Sequence, residues 1–139
     1  MTFETHEISR STSAATDIVD LTDEVALRLE QSGIRNGQVV VFTPGSTASV
    51  STIEYESGAV ADLRAAVERL APRRMHYDHD ARWGDGNGYA HVRSALLGPS
   101  IAIPVIDGRM ALGTWQQIIL LDFDNRPRER RVLVQIHGE

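Results

Sequence analysis

The sequence contains neither cysteine nor lysine, and both absences narrow its chemistry. Without cysteine, the chain forms no disulfide bond, no thiolate metal site and no thiol nucleophile. Without lysine, it has neither Schiff-base chemistry nor the phosphate-binding lysine of a P-loop. All fourteen basic residues are therefore arginine. An anionic ligand must be held by arginine, by backbone N–H groups or by a metal ion.

Length, charge and hydropathy limit the classes of protein to which the chain can belong. The 139 residues fit one domain, so we expect a single domain over residues 1–139. The net charge of −5 creates no field that recruits nucleic acid or an anionic membrane. No apolar run approaches the roughly 20 residues that span a bilayer, and no signal peptide opens the chain. We expect a soluble cytoplasmic protein with no nucleic-acid or membrane partner.

Apolar residues at helical spacing predict two helices. The first runs from an N-cap at Thr16-Asp17 to a stop at Gly33, and the second runs from Ser57 to Leu70. Their apolar faces consist of Ile18, Leu21, Val25 and Leu29 in the first helix and of Val60, Leu63, Val67 and Leu70 in the second.

Strands account for most of the remaining chain. Residues 2–9, 37–43 and 47–53 are predicted strands, and we expect the last two to pair across Pro44-Gly45-Ser46. Four further strands follow residue 98, the first two joined by a hairpin turn at Asp107-Gly108. The order predicts an α+β fold in which two helices cover one face of a largely antiparallel sheet.

The most polar stretch is YDHDARWGDGNGYAH, residues 77–91. His79 and His91 lie twelve residues apart, a spacing that suits the two ends of a loop folded over a small ligand. Imidazole and carboxylate groups are common metal ligands, and Asp78 directly precedes His79 while Asp80, Asp85 and Asn87 lie between the histidines. The spacing matches no named metal motif. The stretch is either a metal-binding or catalytic site or a solvated loop with incidental histidines.

A second polar concentration, STASVSTIEYE, covers residues 46–56. Glu54 and Glu56 are two positions apart, so on a strand they share a face. They either supply a carboxylate to the histidines or begin the second helix.

The segment GPSIAIPVIDGRMALGTWQQI, residues 98–118, resembles the signature of the YjbQ family of small proteins. That signature has the form Ser, apolar strand, Pro, Asp/Asn-Gly-Arg, apolar pair and Gly-Thr-Trp-Gln. The resemblance continues through AHVRSALLGPS (90–100), FDNRPRERRVLVQIHGE (123–139), YDH (77–79) and VFTPGSTASVSTIE (41–54). It covers most of residues 38–139.

The resemblance implies a trimeric α+β protein with secondary thiamine-phosphate synthase activity. This reaction joins a pyrimidine diphosphate to a thiazole phosphate and releases pyrophosphate. The polar cluster would face a cleft that binds a metal or an anion, with His79, His91 and Arg109 as catalytic residues. The expected substrate-binding residues are Ser46, Thr47, Asp85, Asn87, Trp115 and Gln116.

One departure from the family pattern affects the expected metal site. Many relatives read Pro-His-Thr-Thr-Ala where this chain reads PGSTA, so Gly45 replaces a histidine. We therefore expect His79 and His91 to bind a divalent cation, Zn²⁺ or Mg²⁺, together with Glu54 or Glu56. Two ligands of one metal lie close together, so the two imidazoles should lie within about 8 Å of each other.

Trp115 and Gln116 carry no group that acts as acid, base or nucleophile, so we expect them to support the site. A bulge or turn at Gly113 would aim them toward the polar stretch. The alternative is that Trp115 belongs to the core and Gln116 is exposed at a strand end.

Two functions remain open from the sequence. The first is a transferase in which a cation and Arg109 neutralise the diphosphate leaving group. The second is a non-catalytic homotrimer that binds a metal or a small phosphorylated molecule at subunit interfaces. Residues 117–121, QIILL, also favour a trimer, because they are apolar on both faces and exceed what two helices can cover.

Overall fold

A computed structural model describes residues 1–139, which form eight strands and four helices. The strands make two antiparallel sheets, with strand orders β1-β8-β3-β5-β6 and β2-β7-β4. The predicted α+β class is confirmed, and no helix is both long and apolar enough to cross a bilayer. The elements are β1 (Thr2–Thr12), β2 (Asp17–Asp20), α1 (Thr22–Ser32), β3 (Gly37–Phe42), β4 (Ala48–Ile53), α2 (Ser57–Leu70), α3 (Asp78–Trp83), α4 (Gly88–Leu97), β5 (Ser100–Ile106), β6 (Arg109–Met110), β7 (Gln117–Asp122) and β8 (Arg128–Gly138).

The three-stranded sheet lies between the five-stranded sheet and two helices. Its central strand, β7, is buried on both faces because alternate side chains point in opposite directions. Ile118 and Leu120 join the apolar cluster that contains α1 and the inward face of the five-stranded sheet. Ile119 and Leu121 join a second cluster with side chains of α2 and α4. The expectation that this strand needs a partner subunit to cover it is therefore wrong.

The first helix is shorter than predicted. Residues 17–20 form β2, in which Ile18 lies opposite Leu121 of β7, and α1 begins only at Thr22. The spacing of Ile18 is compatible with a helix or a strand. Residues 17–20 form a strand because they pair with the buried strand β7. The side chain of Asp20 then accepts the backbone N–H of Thr22 at 2.9 Å.

The expected hairpin of β3 and β4 does not form. β3 pairs with β5 and β8, whereas β4 pairs with β7 in the other sheet. Residues 43–47 therefore cross from one sheet to the other, with Gly45 at a φ of 132°. This crossing brings Ser46 and Thr47 to the edge of both sheets, where the candidate site lies.

Residues 77–91 are not a loop, because most of them form α3 and the first turn of α4. Gly84 ends α3 in the left-handed conformation, at a φ of 72°, and its N–H bonds the carbonyl of Asp80. The predicted hairpin at Asp107-Gly108 is present, but its second strand, β6, has only two residues.

Candidate functional site

The histidine pair is formed where α3 and α4 pack together. The ring centroids of His79 and His91 lie 4.2 Å apart, with 38° between the ring planes, so the expected convergence is confirmed. Gly88 makes this approach feasible, because a Cβ atom at that position would lie 2.6 Å from Cβ of Tyr77. The N–H of Gly88 also donates to Oδ1 of Asp80 at 2.8 Å, which ties the start of α4 to α3.

The pair lies beside a cavity of about 340 Å³ that has no hydrophobic lining residue. Three segments that are distant in sequence supply its walls: the β3–β4 crossing, the α3–α4 region and the β7–β8 turn. The lining residues are Ser46, Thr47, His79, Asp85, Asn87, His91, Asn125, Arg126 and Arg128.

Hydrogen-bond donors outnumber acidic groups in this cavity. Two guanidinium groups and two imidazoles stand against the single carboxylate of Asp85. Hydroxyl and amide groups of serine, threonine and asparagine add further N–H and O–H donors. Two of the lining residues also carry buried polar atoms without a protein partner, Nδ1 of His79 and Oδ1 of Asn87. Such a lining suits a small, hydrophilic anion.

Burial keeps His91 in its neutral form at neutral pH. Burial lowers the pKa of the His91 imidazole below its ordinary value of 6.5, and the neighbouring His79 lowers it further. The carboxylates of Asp124, Asp85 and Asp80 act in the opposite direction but do not cancel these effects. A neutral imidazole accepts a proton, so His91 is equipped to act as a general base.

The expected third metal ligand is not at the histidine pair. Glu56 is the N-cap of α2, where its carboxylate accepts N–H groups of Gly58 and Ala59 at 2.7 and 2.8 Å. Glu54 is exposed, and neither glutamate lines the cavity. No group of three or more histidine, aspartate or glutamate side chains in the chain is arranged to hold a metal ion. The donor set, with two arginines, fits an anion better than a cation.

Three residues taken from the family signature also lie outside the cavity. Arg109 is exposed on β6, at the edge of the five-stranded sheet, and Trp115 is 73% exposed on the turn before β7. Gln116 holds that turn, because its side chain accepts the N–H of Gly113 and donates to Thr52. Within one chain these three residues do not line the cavity, so their roles at the site stay predictions, and Trp115 is not a core residue.

Six predicted residues do meet at the cavity: Ser46, Thr47, His79, Asp85, Asn87 and His91. The sequence analysis did not identify Asn125 and Arg126, which lie between β7 and β8, or Arg128, which begins β8. It also missed the buried carboxylates below them, Asp122 and Asp124. The sequence did contain a signal: two aspartates and then two arginines occupy every second position from residue 122 to residue 128, at the end of an apolar strand.

The architecture and the sequence both match one family. Residues 6–139 match the family model described as "UPF0047 protein YjbQ-like". A UPF0047 protein of Archaeoglobus fulgidus is 40% identical over 129 residues, which cover 93% of this chain and 98% of that protein. One from Methanothermobacter thermautotrophicus is 40% identical over 135 residues, covering 97% and 92%.

Solved structures agree with this assignment. A hypothetical protein of Aeropyrum pernix K1 superimposes with a TM-score of 0.91 at 33% identity, covering 98% of this chain and 99% of that one. A protein of Sulfolobus solfataricus P2, described as YbjQ-like and of unknown function, gives 0.89 at 31% identity, covering 99% and 100%. The chain described above is therefore a member of the YjbQ (UPF0047) family.

Proposed function

We propose that this protein binds a small phosphate-bearing molecule in the cavity beside His79 and His91. The observation that carries the proposal is the cavity lining, which combines two arginines, two histidines and several neutral donors without one hydrophobic side chain. Arginine binds phosphate oxygens through paired N–H groups, and no lysine is available for this task. A volume of about 340 Å³ holds a phosphate group with a small organic part.

The binding proposal is tested by titrating the protein with inorganic phosphate and with pyrophosphate in a calorimeter. Arg126 lines the cavity from the exposed turn, so Arg126→Gln removes one cavity charge without disturbing the core. We expect it to weaken phosphate binding about tenfold, which corresponds to about 1.4 kcal/mol. Arg131→Gln is the matched control, because Arg131 pairs with Glu7 on the surface and does not line the cavity.

Two results would contradict the binding proposal. The first is the absence of phosphate or pyrophosphate binding by the unmodified protein at millimolar concentration. The second is an equal loss of affinity in Arg126→Gln and Arg131→Gln, which would mean that only the net charge matters.

An enzymatic version of the proposal is favoured by the two arginines that line the cavity together with the histidine pair. In the condensation that the family resemblance implies, the guanidinium groups of Arg126 and Arg128 would neutralise the departing pyrophosphate. The sequence analysis expected Arg109 to have this role. The ring nitrogen of the thiazole would attack the methylene carbon as the bond from that carbon to the departing pyrophosphate breaks. Because this nitrogen carries no proton, His79 and His91 would act by donating N–H groups to phosphate oxygens. The test is the release of pyrophosphate from a pyrimidine diphosphate and a thiazole phosphate, measured against His79→Ala. Equal rates in the two proteins would reject this version and leave the binding proposal intact.

A further inference from the structure

Below the cavity lies a buried carboxylate whose partners are residues of the cavity wall. Asp124 lies two residues beyond the end of β7 and is fully buried. It does not line the cavity, yet it hydrogen-bonds four residues that do. We propose that Asp124 is the positioning residue of this cavity and sets its affinity for a phosphate-bearing ligand; the affinity part rests on the proposed function.

The two oxygens of Asp124 divide the four partners between them. Oδ1 accepts the side-chain amide of Asn87 at 3.3 Å and the backbone N–H of Asn125 at 2.8 Å. Oδ2 accepts the hydroxyl of Thr47 at 3.1 Å and Nε of Arg128 at 3.0 Å. Nη2 of Arg128 lies 2.8 Å from the same oxygen. One carboxylate thus ties together the three segments that form the cavity.

All four partners are donors, so the position requires a group that only accepts. A carboxylate meets this requirement, because each oxygen accepts two hydrogen bonds. An asparagine of the same size would turn an NH₂ group toward two donors, whichever way its amide is oriented. The pKa of Asp124 also indicates that the ionised carboxylate is the form that the four donors stabilise. Burial raises the pKa of the Asp124 carboxyl, but the bonds from Asn125, Asn87, Arg128 and Thr47 together leave that pKa below its ordinary value.

A neighbouring ion pair holds Thr47 from its other side. Nη2 of Arg130 donates to Oγ1 of Thr47 at 2.7 Å, and the guanidinium binds both oxygens of Asp122 at 2.7 and 2.8 Å. The hydroxyl of Thr47 therefore accepts from Arg130 and donates to Asp124, which fixes its direction. Arg128 is held by Nε and Nη2 but stays 33% exposed, so its guanidinium can also meet a ligand.

The experiment compares Asp124→Asn with Glu68→Gln in the full chain. Each residue pairs with an arginine and accepts with both carboxylate oxygens, but Glu68 bonds Arg73 and Arg93, neither of which lines the cavity. We expect both variants to lower the unfolding midpoint. Inorganic phosphate should bind at least about tenfold more weakly to Asp124→Asn and within about threefold of normal to Glu68→Gln. Normal affinity in Asp124→Asn, or equal losses in both variants, would overturn the proposal.

A ligand-free measurement separates this inference from the proposed function. In a crystal structure of Asp124→Asn we expect Asn87 and Arg128 to leave the positions described above, and we expect both to stay in Glu68→Gln. If the unmodified protein binds no phosphate, the proposed function fails, and these structures still decide whether Asp124 positions the wall. An unchanged wall in Asp124→Asn would refute that role. Should Asp124→Asn fail to fold, Asp124→Glu keeps the charge and moves the carboxylate by one methylene, with the same displacements expected.

Discussion

At the scale of single residues, the most informative group is His91. Its pKa is lowered by burial and by His79, so the folded chain resists protonation at this site more than the unfolded chain, where the pKa is ordinary. The resulting contribution to stability is complete above the ordinary value of 6.5. It is lost as the pH falls through that value toward the lower pKa of the folded state.

This linkage predicts a difference between the unmodified protein and His91→Gln. The free energy of unfolding, measured by urea denaturation, should fall more steeply in the unmodified protein between about pH 7 and about pH 5. The carboxylates titrate in both proteins, so they cancel in the comparison. Parallel curves would show that the His91 imidazole titrates alike in the folded and unfolded chains.

Anion binding at the pair should have the opposite pH dependence. A bound anion favours protonated imidazoles, so affinity should rise as the pH falls. Sulfate is the appropriate probe, because its charge is constant over this range. We expect sulfate to bind about tenfold more tightly at about pH 5 than at about pH 8, and this gain should largely disappear in a His79→Gln, His91→Gln double variant. A pH-independent affinity in the unmodified protein would place the anion away from the histidines.

At the scale of elements, the contact of α3 with α4 controls the site. An alanine at a helical glycine usually adds stability, but at Gly88 the new Cβ would lie 2.6 Å from Cβ of Tyr77. We expect Gly88→Ala to cost about 1–3 kcal/mol in thermal unfolding and to weaken phosphate binding by moving His91. Gly113→Ala is the control, because its Cβ would meet only the Gln116 side chain at 3.7 Å. Equal effects of the two changes would argue against a special role of the α3–α4 contact.

The elements that were predicted correctly are those determined by local pattern. The bounds of α2, the run of valines in β3 and the Asp107-Gly108 turn each need only neighbouring residues. Leu70, predicted on the apolar face of α2, is 65% exposed at the end of the helix. The elements that were missed depend on distant partners. β2 is a strand because residues 17–20 pair with residues 119–122, and β3 and β4 separate because each finds a different partner strand. Sequence spacing carries no information about these pairings.

In the candidate site, too, the features that depend on neighbouring residues were predictable and those that depend on distant residues were not. The histidine pair was predictable because two histidines in a polar, glycine-rich stretch are unusual in either a core or a surface loop. The role of Glu56 was decided by the unpaired N–H groups at the start of α2, which it caps. The importance of Asp124 was not predictable, since its partners Thr47 and Asn87 lie 77 and 37 residues away.

At the scale of the whole molecule, one face of the five-stranded sheet is uncovered. Alternate residues of β3 and β5 point away from the core, and all but Gln38 and Ser100 carry apolar groups, with Phe42 37% and Ile106 57% exposed. The same outward row contains Val40, Ala102 and Pro104, and Ala102 lies opposite Val40. We propose that a closed homotrimer covers this face, with the number three taken from the family resemblance.

The trimer predicts a mass of three 15.3 kDa chains in light scattering at micromolar concentration. Ile106→Arg should shift the protein toward the monomer, because it places a charge in the proposed interface. Ala65→Arg, on the exposed side of α2, is a control for the added charge. A monomer mass for the unmodified protein would reject the trimer without affecting the cavity, whose nine lining residues all belong to one chain.

The central claim is that a phosphate-bearing ligand binds between the histidine pair and the arginines of the β7–β8 turn. The most direct test follows the ring protons of all five histidines by NMR while inorganic phosphate is added at constant pH. We predict saturable shifts for His79 and His91, with His6 and His137 unchanged, because both lie outside the cavity. Equal shifts in all four histidines, or none in His79 and His91, would contradict the account.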